Sequence, residues 1–264
     1  MTRVVLLGTA LGLLLSGGIS CGGGPSDSSR PGSSANSSVL SGTVTVLAAA
    51  SLTETFMALG EHFQREHPAT RLQFSFAASS ELASQIVNGA PADVFAAASS
   101  STMHQVVVAG AVAGKPAVFA RNRLQIAVPA DNPGDVTRLA DFARRELAIA
   151  LCAPEVPCGA AAVRALESAG IIPSVDTLEP DVKSALTKVE LGEVDAALVY
   201  RTDVQAAGGR VTGIDFPQAV EAVNNYPIAV LADAPNPAAG RAFVALVTSS
   251  AGRRLLADAG FQQP

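Results

Sequence analysis

The feature that most restricts the fold is a repeated switch of hydrophobic period. From Val44 onward, short apolar runs that read as buried strands alternate with segments whose apolar residues recur every three or four positions. A strand requires period two or a continuous apolar run and a surface helix requires 3.6, so the alternation predicts an α/β chain with largely parallel sheets. Residues 44–49 are the first strand, and Leu52, Phe56, Leu59 and Phe63 follow at helical spacing. Residues 72–76 and 93–97 are further strands, separated by a short helix carrying Leu82 and Ile86 and ended by Asn88 and Gly89. A second group has strands at 124–128, 147–151 and 195–200, and helices at about 159–169 and 182–191 that Gly170 and Gly192 terminate. A strand at 226–231 and a helix from 237 to 255, broken near Ala251 and Gly252, complete the chain. The expectation is two lobes, 42–123 plus 226–264 and 124–225. Each is a mainly parallel sheet flanked by helices, with a ligand cleft between them.

The first 41 residues stand outside that pattern. Arg3, the apolar run 4–15 and the small residues 16–20 read as a secretory signal peptide spanning 1–20. The apolar stretch is short of the ~20 residues a bilayer requires. Cys21 stands where cleavage would leave a new terminus, and Gly18-Ile19-Ser20-Cys21 resembles a bacterial lipobox, with Gly18 in place of the usual leucine. That resemblance implies a lipidated Cys21 and a chain secreted across the cytoplasmic membrane and anchored to its outer face; plain secretion with an unmodified thiol is the alternative. Residues 22–41, rich in Gly, Ser and Pro, are expected to be a flexible tether spanning about 25 Å.

The net charge is −5, and setting aside residues 1–41 makes it one unit more negative. Such a domain has no basic footprint, which argues against nucleic acid. It does not argue against a small anion, because exposed charges are screened beyond ~10 Å while pocket donors act at contact. Cys152 and Cys158 remain in a chain sent to an oxidising compartment. A disulfide between them is the favoured reading, with free thiols or a soft-metal site as alternatives that no nearby histidine supports.

Two strand-to-helix junctions carry the strongest local signal. In Leu47-Ala48-Ala49-Ala50-Ser51-Leu52-Thr53-Glu54, a strand runs into a helix start where Ser51 and Glu54 have the spacing of a capping box. Capping alone explains both residues. The functional reading adds that small neighbours allow a ligand to approach the helix N-terminus and the Ser51 hydroxyl. Phe76-Ala77-Ala78-Ser79-Ser80-Glu81 repeats the arrangement, and two such junctions in consecutive βα units point to the crevice where open α/β sheets bind ligands. In the second lobe, Cys158 precedes a helix expected from Ala160, Val182 lies near the first turn of another, and Tyr200 ends a strand. Hydroxyls and free amides are neutral donors, which is all a fully ionised oxyanion requires.

These motifs together resemble the periplasmic molybdate-binding proteins of ABC transporters, a type II solute-binding fold. The pieces are VTVLAAASLTETF at 44–56, FAASSELASQIVNGAPADVFAAA at 76–98, APEVPCG at 153–159, LEPDVKSAL at 178–186, AALVYRTD at 196–203 and NYPIAV at 225–230. The resemblance implies that Ser51 and Ser79 contact the oxyanion from the first lobe, while Cys158 and Val182 give amides and Tyr200 its hydroxyl from the second. It further implies molybdate or tungstate as ligand with no cofactor, delivery to a membrane permease, a monomeric state and a hinge in the crossover segments. Cys158 departs from the alanine common in that family, a change an amide contact survives.

Two rivals are kept. A hydrolase or transferase would use Cys158 or paired carboxylates, but His62, His67 and His104 have no partner motif, and no GxSxG, Walker or HExxH pattern is present. A non-catalytic binder is therefore expected. The closer rival changes the ligand to sulfate, phosphate or an organic anion. Phosphate keeps a proton at neutral pH and calls for an acceptor, and none of the five implied contacts is a carboxylate. Sulfate is also fully ionised and differs mainly in size.

Overall fold

The structure, a computed structural model, describes residues 39–264. The expected signal segment, Cys21 and the expected tether up to residue 38 lie outside the described residues. Two five-stranded sheets organise the chain, in the orders β2-β1-β3-β10-β4 and β7-β6-β8-β5-β9. The first contains β1 (Gly42–Ala49), β2 (Thr70–Ala77), β3 (Val94–Ala96), β4 (Ala117–Asn122) and β10 (Asn224–Val230). The second contains β5 (Leu124–Pro129), β6 (Ile149–Cys152), β7 (Thr177–Glu179), β8 (Ala196–Tyr200) and β9 (Val211–Ile214).

The sheets are mixed and not mainly parallel. β1 pairs in parallel with β2 and β3, while β10 runs antiparallel to β3 and β4. In the second sheet β6 is parallel to β7 and β8, and β5 is antiparallel to β8 and β9. A helical crossover enforces parallel pairing only between the strands it joins. The departing and returning segments around β4, β5 and β10 have no such crossover, so they enter reversed.

Helices cover the faces. α1 (Thr53–Glu66) follows a short 3-10 turn at Ala50–Leu52 and buries Phe56, Leu59 and Phe63 at helical spacing, with α7 (Pro237–Thr248) and α8 (Ser250–Asp258) on the same core. Phe56, Phe74, Phe119 and Phe243 meet there edge to face or tilted. Leu40 packs on this core and the Ser41 carbonyl accepts from Asn236 Nδ2 at 2.8 Å, so these last residues of the expected tether are fastened to the fold. α2 (Ser79–Val87) and α3 (Ser100–Val108) bury Leu82, Ile86 and Met103 against Leu47 and Phe95 on the opposite face. Around the second sheet lie α4 (Pro157–Ser168), α5 (Val182–Glu190) and α6 (Arg201–Ala207). α4 and α5 stop where Gly170 and Gly192 adopt φ of 65° and 68°, a left-handed conformation cheap only for glycine. The hydrophobic period carries no sign of β4, β7 and β9, which are sheet edges. A strand paired on one side, or only three residues long, needs no continuous apolar run.

Candidate functional site

In both sheets the strands that feed the site end on one side, at the junction between them. β1 ends at Ala49, and the 3-10 turn then carries Ser51, which is buried. The expected capping box is absent. Leu52 already has helical angles, φ −95° and ψ −4°, so Ser51 lies inside a turn and not at a non-helical cap position. Its Oγ lies 2.9 Å from the Tyr226 hydroxyl, and Glu54 reaches across to Lys183 Nζ at 2.9 and 3.0 Å. Ser79 is the first residue of α2, and its Oγ accepts from the Ala98 amide at 2.9 Å, leaving its proton to donate elsewhere.

On the second sheet's side, β6 ends at Cys152, which is disulfide-bonded to Cys158 in the first turn of α4 with Cα atoms 5.8 Å apart. α4 begins at Pro157, three residues before the expected Ala160; proline suits this position because its missing amide would have no partner. Cys158 therefore lies within the first turn, where amides lack intrahelical acceptors. Gly159 is required by close packing, since a Cβ there would sit 1.9 Å from the Ala153 carbonyl oxygen. Asp181 caps α5 by accepting from the Lys183 and Ser184 amides at 2.7 and 3.1 Å, which leaves the Val182 amide at the helix mouth. Tyr200 ends β8, and its hydroxyl accepts from Asn224 Nδ2 at 2.7 Å.

Ser51, Ser79, Cys158, Val182 and Tyr200 all line one cavity, completed by the alanines at 49, 50, 77, 78 and 98 and by Val156, Pro157 and Asp181. The room for the centres of water-sized groups is about 20 Å³, on the scale of one compact ion. No lysine or arginine is among its walls, and the one carboxylate, Asp181, is occupied in capping. Burial above all raises the Tyr200 and Tyr226 hydroxyls further above their ordinary value, so both stay protonated. The first turns of α2, α4 and α5 supply partial positive charge worth ~0.3–1 kcal/mol each. Hydrogen bonds to a charged group contribute ~1.5–3 kcal/mol apiece.

A second electrostatic feature lies beside the cavity. Lys183 bridges Glu54 on α1 and the fully buried Asp203 on α6, whose Oδ1 is 3.3 Å from the ammonium and makes no hydrogen bond. Burial pushes the Asp203 carboxyl up to about 6 against the opposing pull of Lys183. For Lys183, burial favours the neutral form, but the attraction of Asp203 and Glu54 outweighs it and raises the ammonium. Asn122, Asn224 and Tyr226 were not singled out by sequence reasoning, because their partners are far away in the chain. The Tyr226–Ser51 contact spans 175 residues.

Comparison with known proteins gives this arrangement a context. The family model of bacterial extracellular solute-binding proteins matches residues 44–262. The molybdate-binding protein ModA of Mycobacterium tuberculosis is 40% identical over 257 residues, covering 97% of this chain and 97% of its own. The periplasmic molybdate-binding protein of Azotobacter vinelandii superposes with a TM-score of 0.75 at 21% identity, over 84% of this chain and 99% of that one. The sulfate-binding protein SubI of M. tuberculosis gives 0.73 at 18%, over 84% and 86%. These two superpositions show a shared two-domain α/β architecture. The chain belongs to the bacterial extracellular solute-binding protein family.

Proposed function

We propose that this chain is the molybdate-binding component of an ABC importer, which takes the oxyanion outside the cytoplasm and delivers it to the permease without chemical change. The observation that carries the reading is the set of neutral donors around one small cavity, in a chain 40% identical to a molybdate-binding protein over nearly its whole length. Ser51, Ser79 and Tyr200 give hydroxyls and Cys158 and Val182 give amides, so the occupant is a fully ionised tetrahedral anion. Tungstate has the same charge and shape and is expected to compete. Residues 42–123 with 226–264 act as one lobe and 124–225 as the other, closing by bending at the two crossovers. Cys21 carries a lipid that holds a monomeric protein at the outer face of the membrane.

Titration calorimetry with molybdate, tungstate, sulfate and hydrogen phosphate tests the ligand. Submicromolar molybdate binding with weak sulfate binding is expected. A preference for sulfate would replace the ligand while leaving the fold; this second reading draws on the superposition with the sulfate-binding protein. Mass spectrometry of the mature protein tests the anchor, since an unmodified Cys21 removes it.

A further inference from the structure

Asn122 and Asn224 face each other in register where β4 and β10 pair, next to the points at which the chain leaves and re-enters the first sheet. Both are buried, and both send their side-chain amides into residues that follow or end strands of the other sheet. Asn122 Nδ2 donates to Thr202 Oγ1 at 2.9 Å and, weakly, to the Tyr226 hydroxyl at 3.4 Å. Asn224 Nδ2 donates to the Tyr200 hydroxyl at 2.7 Å and to the Pro157 carbonyl at 3.1 Å. The orientation of Asn224 is fixed, because its Oδ1 accepts from the Arg164 guanidinium at 2.7 Å. One side chain thus touches two of the second sheet's donor positions, the Tyr200 hydroxyl and the turn that carries the Cys158 amide.

A phenolic O–H lies near the plane of its ring, so the oxygen offers two in-plane positions, one for its own proton and one for an incoming donor. With the Asn224 amide in one position, the proton takes the other. Resting on the oxyanion reading above, we propose that Asn224 is a positioning residue that fixes Tyr200 as a donor toward the cavity. It thereby helps reject anions that keep a proton. Hydrogen phosphate brings a P–O–H group that requires an acceptor, and an unmatched buried donor is heavily penalised. Molybdate and sulfate bring only acceptors.

Asn224→Asp tests the polarity. A carboxylate at this position only accepts, so Tyr200 turns its proton toward residue 224 and presents a lone pair to the cavity, while Arg164 remains beside the new charge. Calorimetry on the full chain at pH 8, where phosphate is chiefly a dianion with one proton, should show molybdate affinity falling about 100-fold. The ratio of molybdate to hydrogen phosphate affinity should fall at least tenfold. An added negative charge or a general loosening lowers both dianions together, so an unchanged ratio overturns the proposal. A second measurement does not depend on the aspartate variant folding. Asn224→Leu should weaken molybdate about tenfold in the wild-type background and less than twofold in a Tyr200→Phe background, because the amide acts through that hydroxyl. Equal losses in both backgrounds also overturn it. If the wild-type chain itself fails to bind molybdate, the ligand assignment fails instead.

Discussion

The two walls of the cavity offer the proposed ligand different kinds of donor. The wall from the first sheet offers side-chain hydroxyls, each braced by another group, Ser51 by Tyr226 and Ser79 by the Ala98 amide. The opposite wall adds one hydroxyl, that of Tyr200, to main-chain amides at the starts of α4 and α5, which are staged by a disulfide, a glycine and an aspartate cap. A hydroxyl donor can be deleted by one substitution. An amide donor persists through any side-chain change and is lost only when the backbone beneath it moves. Cys158 illustrates this, because its sulfur is bonded to Cys152 while the proposed ligand contact uses its nitrogen.

The contrast sharpens into an ordered set of expectations. The largest effect belongs to Gly159→Ala: a methyl group 1.9 Å from the Ala153 oxygen must displace the start of α4. Molybdate affinity should fall at least ~100-fold, about 2.7 kcal/mol, with a lowered melting temperature. A folded variant with unchanged affinity would show that the α4 amides are not donors. Ser79→Ala comes next, costing ~1–3 kcal/mol of binding as it deletes a proposed donor and leaves the Ala98 amide without its acceptor. Ser51→Ala should fall at the lower end of that range, and equal wild-type affinity in both would reduce the hydroxyls to structural roles.

Reducing the disulfide, or replacing both cysteines by alanine, should lower stability by roughly 2 kcal/mol by the chain-entropy argument, read from chemical denaturation. If affinity falls no further than stability predicts, the bridge does not tune the amide wall. Asp203 gives a pH signature. Its folded value of about 6 lies above the ~3.9 of an unfolded aspartate, so its stabilising contribution is complete below about pH 4 and is lost as pH rises through 6. Asp203→Asn should flatten the stability profile between pH 4 and 7, and a parallel profile would remove the assignment. The smallest effect is Glu54→Gln. The Glu54–Lys183 pair joins the two walls, but the carboxylate is 55% exposed and worth at most ~1 kcal/mol. A few-fold faster ligand release, weaker still at high salt, is expected in stopped flow.

The sequence was most readable where chemistry is local. Strand-to-helix junctions announced themselves through small residues and serines, and the five proposed donors do line one cavity. Local reading also misled. Ser51 and Glu54 have capping-box spacing, yet the chain enters α1 through a 3-10 turn, freeing the serine for Tyr226 and the glutamate for Lys183. Asn122 and Asn224 carried no signal, because a buried asparagine and an exposed one look alike until tertiary partners 80 and 24 residues away are known. The mixed character of the sheets was hidden for a related reason: strand direction depends on the route the chain takes between sheets.

A pocket whose walls carry no fixed countercharge has one more consequence. The bound ion keeps its full double charge inside the protein, held by dipoles that converge only while both walls face it. Parting the walls dilutes that convergence and readmits water, which solvates a dianion strongly. On the proposed reading, unloading requires no exchange partner and no rupture of an ion pair to the ligand; once the exposed Glu54–Lys183 pair between the walls gives way, hydration does the rest of the work.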